Sequence, residues 1–177
     1  IEGGVSPTGV ELVVTDQEWT VLESEGFAPI LIAVGRPFYE LASEDGSLAG
    51  YPDLDQVMDR MQLAEDAFPQ ICELVDLTDR YAMPPTFEGR HLYAVKISDN
   101  VGVDEDEPSA LIVSAHHCRE IVTPLIALEA IRSLAEGYGV DPQITQLVDE
   151  YEIWIAPMWN PDGYVEVFEG DNFWRKN

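Results

Sequence analysis

The spacing of apolar residues changes several times along the chain, and each change predicts a structural element. VELVV (residues 10–14) is apolar and largely β-branched, which predicts a strand. Thr15 and Glu18 have the spacing of a capping box, so we expect a helix to begin there and to end at Gly26. APILIAV (residues 28–34) predicts a buried strand. These elements form a small β-α-β segment.

A second series of elements follows a short polar stretch. ASEDGSLAG (residues 42–50) consists mainly of small and polar residues, which is typical of a linker. Asp53 can cap a helix that ends at Pro69. ICELVDL (residues 71–77) and LYAVKIS (residues 92–98) predict strands on either side of a turn. The apolar residues at helical spacing in the predicted helix are Leu54, Val57, Met58, Met61, Ala64 and Phe68.

The rest of the chain alternates between strands and helices. SALIVSA (residues 109–115) is a continuous apolar run, typical of a strand in a parallel sheet that is covered on both faces. Residues 120–135 predict a helix with one apolar face, and Asp141 with Pro142 begins another. YEIWIAP (residues 151–157) predicts a further buried strand. Such alternation indicates an α/β sheet.

We therefore predict an α/β fold with a mixed, largely parallel sheet covered by helices on both faces. Residues 1–45 are assigned to the preceding β-α-β segment, and residues 46–177 to the unit that contains the sheet.

Composition narrows the possible partners. The chain has 34 acidic and 9 basic residues, giving a net charge of −25. Such a field repels nucleic acid and anionic membranes, so we expect neither as a partner. The longest apolar runs are far shorter than the roughly 20 residues that a membrane helix needs. We expect an extracellular protein, but adaptation to high salt would explain the same charge. The oligomeric state is left open.

Two further features carry weaker signals. Cys72 and Cys118 have the spacing of neither a zinc ribbon nor a redox CxxC motif, and one disulfide between them is possible. The acidic run at residues 104–107 lacks the spacing of an EF-hand, so we interpret it as a solvated loop rather than a calcium site.

The segment SAHHCRE (residues 114–120) carries the clearest chemistry. It follows a predicted buried strand, at the end where ligands gather in open α/β sheets. His117 and Glu120 are three residues apart, which places them on one face of a helical turn. A histidine and a carboxylate form part of a catalytic zinc site, which typically has three protein ligands and one water. We expect His116 to be packed or to lie outside the ligand set, and Cys118 to be a small buried thiol.

This segment belongs to a wider, ordered set of motifs. The set comprises FEGRHLYAVKISDN (residues 87–100), HHCRE (residues 116–120), APMWNPDGY (residues 156–164) and FWRKN (residues 173–177). In this order the motifs resemble the zinc carboxypeptidases of the carboxypeptidase A, B and T type. The resemblance runs from about Tyr51 to the end of the chain and implies the N-terminal part of that catalytic domain.

The resemblance implies a role for particular residues. His117 and Glu120 match the first two zinc ligands, so zinc is the implied cofactor. Arg119 matches an arginine of a substrate-binding subsite, and Arg175 matches the arginine that polarises the scissile carbonyl and stabilises the oxyanion. The NPDG loop matches a structural element. The implied substrate is the C-terminus of a peptide or protein, whose last peptide bond is hydrolysed.

The resemblance also implies residues that no motif of this chain matches. They are a third zinc ligand, a tyrosine, a glutamate general base and an Asn-Arg pair that binds the substrate carboxylate. We therefore expect the chain, which begins at Ile1, to be a fragment or processed product that is inactive in isolation. Residues 1–45 are then a possible pro-segment or accessory module. The residue that the enzyme releases is not specified.

Two alternative functions remain open. One is a catalytically inactive relative that only binds peptide or metal. The other is an amidohydrolase of the same fold that acts on cell-wall peptides or modified amino acids.

Overall fold

A computed structural model describes residues 5–6, 9–10, 14, 16–30, 50–171 and 173–176. The chain divides into two units, residues 1–36 and 37–177. The predicted boundary between residues 45 and 46 lies outside the described residues, so it stays a prediction. Among the described helices, none has the length and apolar character needed to cross a membrane.

The first unit contains two short strands and one helix. Strand β1 (Val5–Ser6) pairs in antiparallel orientation with β2 (Gly9–Val10), and helix α1 (Asp16–Ser24) follows. Gly26, where the helix is predicted to end, has a φ of +86°. Glycine adopts this left-handed conformation without steric cost, which explains the end of the helix there.

The predicted strands of this unit are only partly described. Of residues 10–14, Val10 lies in β2, whereas residues 11–13 and Thr15 fall outside the described residues. Residues 28–30 form no regular element, and Ile30 is 84% exposed. The prediction of a buried strand is therefore wrong for that stretch, because a strand needs a partner and these residues have none within the described part. Residues 31–34 are not described.

The second unit contains a mixed four-stranded sheet and its helices. In chain order the elements are α2 (Leu54–Ala67), β3 (Cys72–Asp76), α3 (Leu77–Arg80), β4 (Tyr93–Ile97), β5 (Ser109–Val113), α4 (Val122–Gly137), α5 (Pro142–Glu150), β6 (Glu152–Ala156) and α6 (Pro161–Glu169). The strand order is β3-β4-β6-β5. The β3–β4 and β4–β6 pairs are antiparallel, and the β5–β6 pair is parallel.

The connections explain these orientations. β3 and β4 are joined by residues 77–92, which hold only the short helix α3, so the chain returns in the opposite direction. β5 and β6 are joined through α4 and α5, and a helical crossover brings the second strand back in parallel. The mixed α/β sheet is thus confirmed, and within the described residues its parallel part is the β5–β6 pair alone.

The main core lies between one face of the sheet and helices α2, α4 and α6. Asp53 caps α2 as predicted: its side chain accepts a hydrogen bond from the Gln56 backbone N–H at 2.8 Å. The Gln56 side chain accepts in return from the Asp53 N–H at 3.2 Å, which completes a capping box. Buried side chains of this core include Val57, Met61, Val95, Ile97, Ile131, Ile153, Ile155 and Tyr164.

The opposite face of the sheet carries a buried ion pair. Lys96 Nζ on β4 lies 2.6 Å from Glu152 Oε1 on β6, and both side chains are more than nine-tenths buried. Burial alone would raise the pKa of Glu152, but the hydrogen bond and charge of Lys96 outweigh it and lower that pKa. The pair therefore places an ionised carboxylate and its ammonium partner under the loop that follows β4.

Strand β5 is more exposed than its apolar sequence predicts. It pairs in parallel with β6 as expected, but Leu111 is 62% and Ile112 43% exposed. Successive strand residues point to opposite faces, so both faces of the sheet are open to solvent here. The prediction of cover on both faces is wrong at β5 within the described residues, because the described helices pack mainly over β3, β4 and β6 rather than over this edge strand.

An ion pair also joins the end of β3 to the segment that enters β4. His91 Nδ1 lies 2.6 Å from Asp76 Oδ2, while Asp76 Oδ1 accepts from the Asp79 N–H and caps α3. The hydrogen bond that the His91 ring donates to the Asp76 carboxylate raises the pKa of His91. Burial opposes ionisation of Asp76, but the Asp79 N–H and His91 outweigh it and lower the pKa of that carboxyl.

We predict that His91→Gln destabilises the protein more at about pH 5.5 than at about pH 9. A raised histidine pKa contributes stability below the unfolded value of about 6.5, and this is lost as pH rises through the folded pKa. The lowered pKa of Asp76 likewise contributes stability to the folded state, and that stability is present above the unfolded value of about 3.9. The pair is therefore fully effective between these limits. Thermal unfolding of wild type and variant at both pH values measures the difference.

His116→Gln is the matched control. It removes an imidazole whose ring lies beside Trp159, with centroids 6.1 Å apart, whereas His91→Gln removes one that is paired with a carboxylate. A His91→Gln effect that does not change between the two pH values would contradict the assignment.

Candidate metal centre

The segment that follows β5 turns sharply out of the sheet. The Ser114 N–H donates to the Ala156 carbonyl at 3.1 Å, and the Ser114 carbonyl accepts from the Trp159 N–H at 3.1 Å. Ala115 then has a φ of +52°, which is rare for a residue with a Cβ. Its N–H donates to Thr123 Oγ1 at 3.0 Å, which holds the strained conformation.

This turn brings His117 and Glu120 together. The Glu120 N–H donates to the His117 carbonyl at 2.9 Å, so the two residues close one turn of backbone ahead of α4. His117 Nδ1 lies 3.1 Å from Glu120 Oε1, and the side chains are 45% and 50% exposed. This geometry agrees with the prediction that His117 and Glu120, three residues apart, lie on one face of a turn. Helix α4 itself begins at Val122 rather than at residue 120.

Arg175 reaches the same point from the end of the described chain. Its Nη2 lies 3.2 Å from His117 Nδ1 and 3.3 Å from His117 Nε2. Arg119 lies half-buried on the turn between the two candidate ligands. His116 is exposed and lies beside Trp159. The structure thus brings together His117, Glu120 and Arg175.

Asn160 links the segment around His117 to the segment around Arg175 through hydrogen bonds. Its Nδ2 donates to the Lys176 carbonyl at 3.0 Å and to the His116 carbonyl at 3.4 Å. Cys118 Sγ donates to the Trp174 carbonyl at 3.0 Å. The residues on either side of Arg175 are therefore fixed against those on either side of His117.

Gly163 allows this close approach. Its N–H donates to Asn160 Oδ1 at 3.0 Å and so helps to fix the amide that makes the tie. A Cβ at position 163 would lie 2.6 Å from the Lys176 carbonyl oxygen, 2.7 Å from Asn160 Nδ2 and 2.8 Å from Cys118 Sγ. Only a residue without a side chain fits this position.

The first turn of α6 is also anchored to the turn before β4. Asp162 Oδ1 accepts from Arg90 Nη1 at 2.8 Å and from Thr86 Oγ1 at 2.9 Å, and Oδ2 accepts from the Glu88 N–H at 3.0 Å. Burial opposes ionisation of Asp162, but these donors lower the pKa of its carboxyl. The NPDG motif thus forms the N-cap and first turn of α6, and its hydrogen bonds join the other three sequence motifs.

Both cysteines are buried free thiols, so the possible disulfide between them is absent. Burial raises the pKa of Cys72 to about 11 and also raises that of Cys118. The prediction of a small buried thiol at position 118 is confirmed.

The donor set at His117 and Glu120 fits zinc. One imidazole nitrogen and one carboxylate oxygen lie side by side and open to solvent, and both are ligand types that zinc accepts. Within the described part of the chain, neither residue belongs to a group of three or more such ligands. The two residues therefore supply part of a site.

The sequence profile of the zinc carboxypeptidase family matches residues 57–177. The chain belongs to the zinc carboxypeptidases. It is 35% identical over 130 residues to a zinc carboxypeptidase of Saccharothrix mutabilis subsp. capreolus, covering 72% of this chain and 29% of that protein. It is also 31% identical over 128 residues to the inactive metallocarboxypeptidase ECM14 of Saccharomyces cerevisiae, covering 72% of this chain and 28% of that one.

Solved structures support the same fold. The carboxypeptidase A of Helicoverpa armigera superposes with a TM-score of 0.64 at 27% identity, covering 96% of this chain and 37% of that structure. The chain thus spans about a third of the length of these three relatives, and a tenth or less of the carboxypeptidase D proteins that it also matches. The family resemblance inferred from the motifs is confirmed.

The residues that sequence analysis missed are those that hold the segments of this candidate site together. The amide of Asn160 and the space at Gly163 become evident only when residues 116–118 and 174–176 meet. One signal was available: both residues lie within the NPDG motif, whose turn chemistry favours asparagine as a helix cap.

We predict that Gly163→Ala destabilises the chain by about 1–3 kcal/mol, because the added methyl overpacks three fixed neighbours. Urea unfolding with an unchanged m-value measures the loss. Gly102→Ala is the matched control, since open space surrounds that position. Equal stability of the two variants would disprove the close packing at residue 163.

Proposed function

We propose that this chain provides part of the active site of a zinc-dependent carboxypeptidase that removes the C-terminal residue of peptides or proteins. The meeting of His117, Glu120 and Arg175 in a member of this family carries the proposal. His117 and Glu120 would hold the ion. When bound, zinc polarises a carbonyl and lowers the pKa of a water to about 7.

Arg175 is proposed to bind the oxygen of the scissile carbonyl. A guanidinium presents several N–H donors in a rigid plane and remains charged, so it suits an oxygen on which negative charge develops. Its contact with His117 places these donors beside the candidate ligands. The ties through Asn160 and Cys118 would keep this position fixed before the substrate arrives.

Arg119 is proposed to contact the substrate near the same point. It lies on the His117–Glu120 turn, between the two candidate ligands in sequence, and it is half-buried, so part of it is accessible to a substrate. A positive group there also suits peptides whose side chains or terminus are negative.

One observation favours a second candidate. A relative of similar identity, ECM14, is named an inactive metallocarboxypeptidase. A protein of that kind could retain His117 and Glu120 and bind metal or peptide without turnover. Metal binding with no release of amino acids from any peptide would favour this candidate.

The location outside the cell is also a proposal. The net charge of −25 is the observation behind it. Charge repulsion between copies keeps a protein soluble without a partner, which suits a secreted protein.

We predict that His117→Ala and Glu120→Ala each weaken zinc binding by roughly 100-fold or more, since the loss of supporting contacts alone costs about 10–100-fold. Zinc affinity would be measured by competition with a chromogenic chelator in the intact enzyme. His116→Ala is the control and should change affinity far less. Equal losses in all three variants would reject the ligand assignment.

We predict that Arg175→Gln lowers kcat by about 10²–10³, the usual cost of one oxyanion donor, with zinc affinity unchanged. The measurement is steady-state hydrolysis of a peptide by the zinc-loaded intact enzyme. Arg132→Gln is the control, because Arg132 is an exposed arginine paired with Glu129 and Glu136 on α4. If both variants keep wild-type kcat, Arg175 has no catalytic role.

A further inference from the structure

One hydroxyl group joins the two ends of the segment that carries the candidate zinc ligands. Thr123 Oγ1 accepts a hydrogen bond from the Ala115 N–H at 3.0 Å and donates one to the Glu120 carbonyl at 2.9 Å. A hydroxyl has one donor hydrogen and two acceptor lone pairs, so it can make both bonds at once. His117 lies between the two joined points. The loop of residues 115–120 is therefore closed by a side chain that is not itself a candidate ligand.

The start of this loop has an unfavourable backbone conformation. Ala115 has a φ of +52°, which a residue with a Cβ rarely adopts and which persists only where neighbouring contacts impose it. Ala115 is also buried, so its N–H would be costly to leave without an acceptor. Thr123 supplies that acceptor. Loss of the hydroxyl therefore favours a different backbone conformation at the point where the loop leaves the sheet.

The end of the loop is fixed to helix α4 by the same residue. The Glu120 carbonyl accepts from both the N–H and the hydroxyl of Thr123, each at 2.9 Å. Thr123 lies in the first turn of α4, which packs into the core, and the N-cap residue Ile121 provides no side-chain cap. A threonine has few χ1 conformations and can bond the carbonyl three residues before it. The backbone of Glu120 is thus held by a packed helix.

The candidate ligands depend on this support because their own side chains have little around them. His117 is 45% and Glu120 50% exposed. Zinc takes nitrogen and oxygen ligands at about 2.0–2.2 Å in a near-tetrahedral arrangement. When exposed side chains must meet such a geometry, the direction of each is set mainly by the backbone that carries it.

We propose that Thr123 is a positioning residue for zinc: its hydroxyl fixes the backbone of residues 115–120 so that His117 and Glu120 face one ion. The proposal rests on the function proposed above, since it uses the same two ligands. Thr123 contacts neither the ion nor the substrate and acts only through the Ala115 N–H and the Glu120 carbonyl.

The test compares Thr123→Val with Thr123→Ser in the intact enzyme. Valine has nearly the shape of threonine without the hydroxyl, whereas serine keeps the hydroxyl. We expect Thr123→Val to weaken zinc binding by about 10–100-fold, the usual cost of losing a contact that orients a metal ligand. Thr123→Ser should stay close to wild type. Competition with a chromogenic chelator measures the affinity.

Cobalt(II) in place of zinc gives a second readout, because its visible absorption spectrum depends on the geometry of its ligands. Thr123→Val should change this spectrum and Thr123→Ser should restore it. A purely structural role for the hydroxyl would lower the Tm of Thr123→Val and leave the spectrum of the folded protein unchanged.

Thr145→Val is the matched control. Thr145 Oγ1 makes the same pair of bonds at the start of α5, accepting from the Gly139 N–H at 2.9 Å and donating to the Asp141 carbonyl at 2.8 Å. Gly139 also has a positive φ, of +72°. Helix α5 carries none of the candidate site residues, so Thr145→Val should lower Tm without changing zinc affinity or the cobalt spectrum.

His117→Ala, measured in parallel, separates the two proposals. If it keeps zinc affinity, the ligand assignment fails and the role of Thr123 fails with it. If it loses affinity while Thr123→Val does not, or if Thr145→Val or Thr123→Ser loses as much as Thr123→Val, only the role of Thr123 is overturned. Should Thr123→Val not fold, Thr123→Cys replaces it, because a thiol is of similar size but a weak hydrogen-bonding group. Unchanged zinc affinity in that variant would equally overturn the proposal.

Discussion

The parallel pairing of β5 with β6 is the constraint on which the candidate centre depends. Parallel strands end at the same edge of a sheet, so the loops that follow them must meet. The Ser114 hydrogen bonds to Ala156 and Trp159 extend this pairing just beyond both strands. The two helices between the strands are required by the same constraint, because a parallel return needs a crossover. The segment with His117 and the loop with Asn160 are neighbours for this reason.

Hydrogen bonds and close packing then fix the segment around Arg175 against the segment around His117. The Asn160 amide bridges two backbone segments, and Gly163 leaves the space in which they approach. Arg175 lies on an exposed segment without regular structure, so its position depends on these contacts rather than on a helix or strand. For the role proposed for Arg175 this matters, because a guanidinium that is already fixed in place needs little reorganisation to act as a donor to a carbonyl oxygen.

Much of this could be predicted from residue patterns. Apolar periodicity located α2, α4, β4 and β6, and the i, i+3 spacing of His117 and Glu120 matched a single backbone turn. The pattern could not show that β3 and β4 run antiparallel, because strand direction depends on the connection and not on the strand. It could not show the exposure of Leu111, since an apolar run looks the same at the centre and at the edge of a sheet. Nor could it separate Glu105 and Glu107 from Asp104 and Asp106, since loop folding alone decides which carboxylates turn inward.

The exposed edge strand has a consequence for how the chain behaves in concentrated solution. β5 has a strand neighbour on one side only among the described residues, and it presents Leu111 and Ile112 beside open backbone donors and acceptors. Such an edge is a template for strand addition between copies and hence for aggregation. The large negative charge opposes this over a distance of about 10 Å at 0.1 M salt and about 3 Å at 1 M. For copies of these 177 residues taken alone, added salt would therefore weaken the repulsion that opposes strand addition at β5, and low ionic strength would strengthen it.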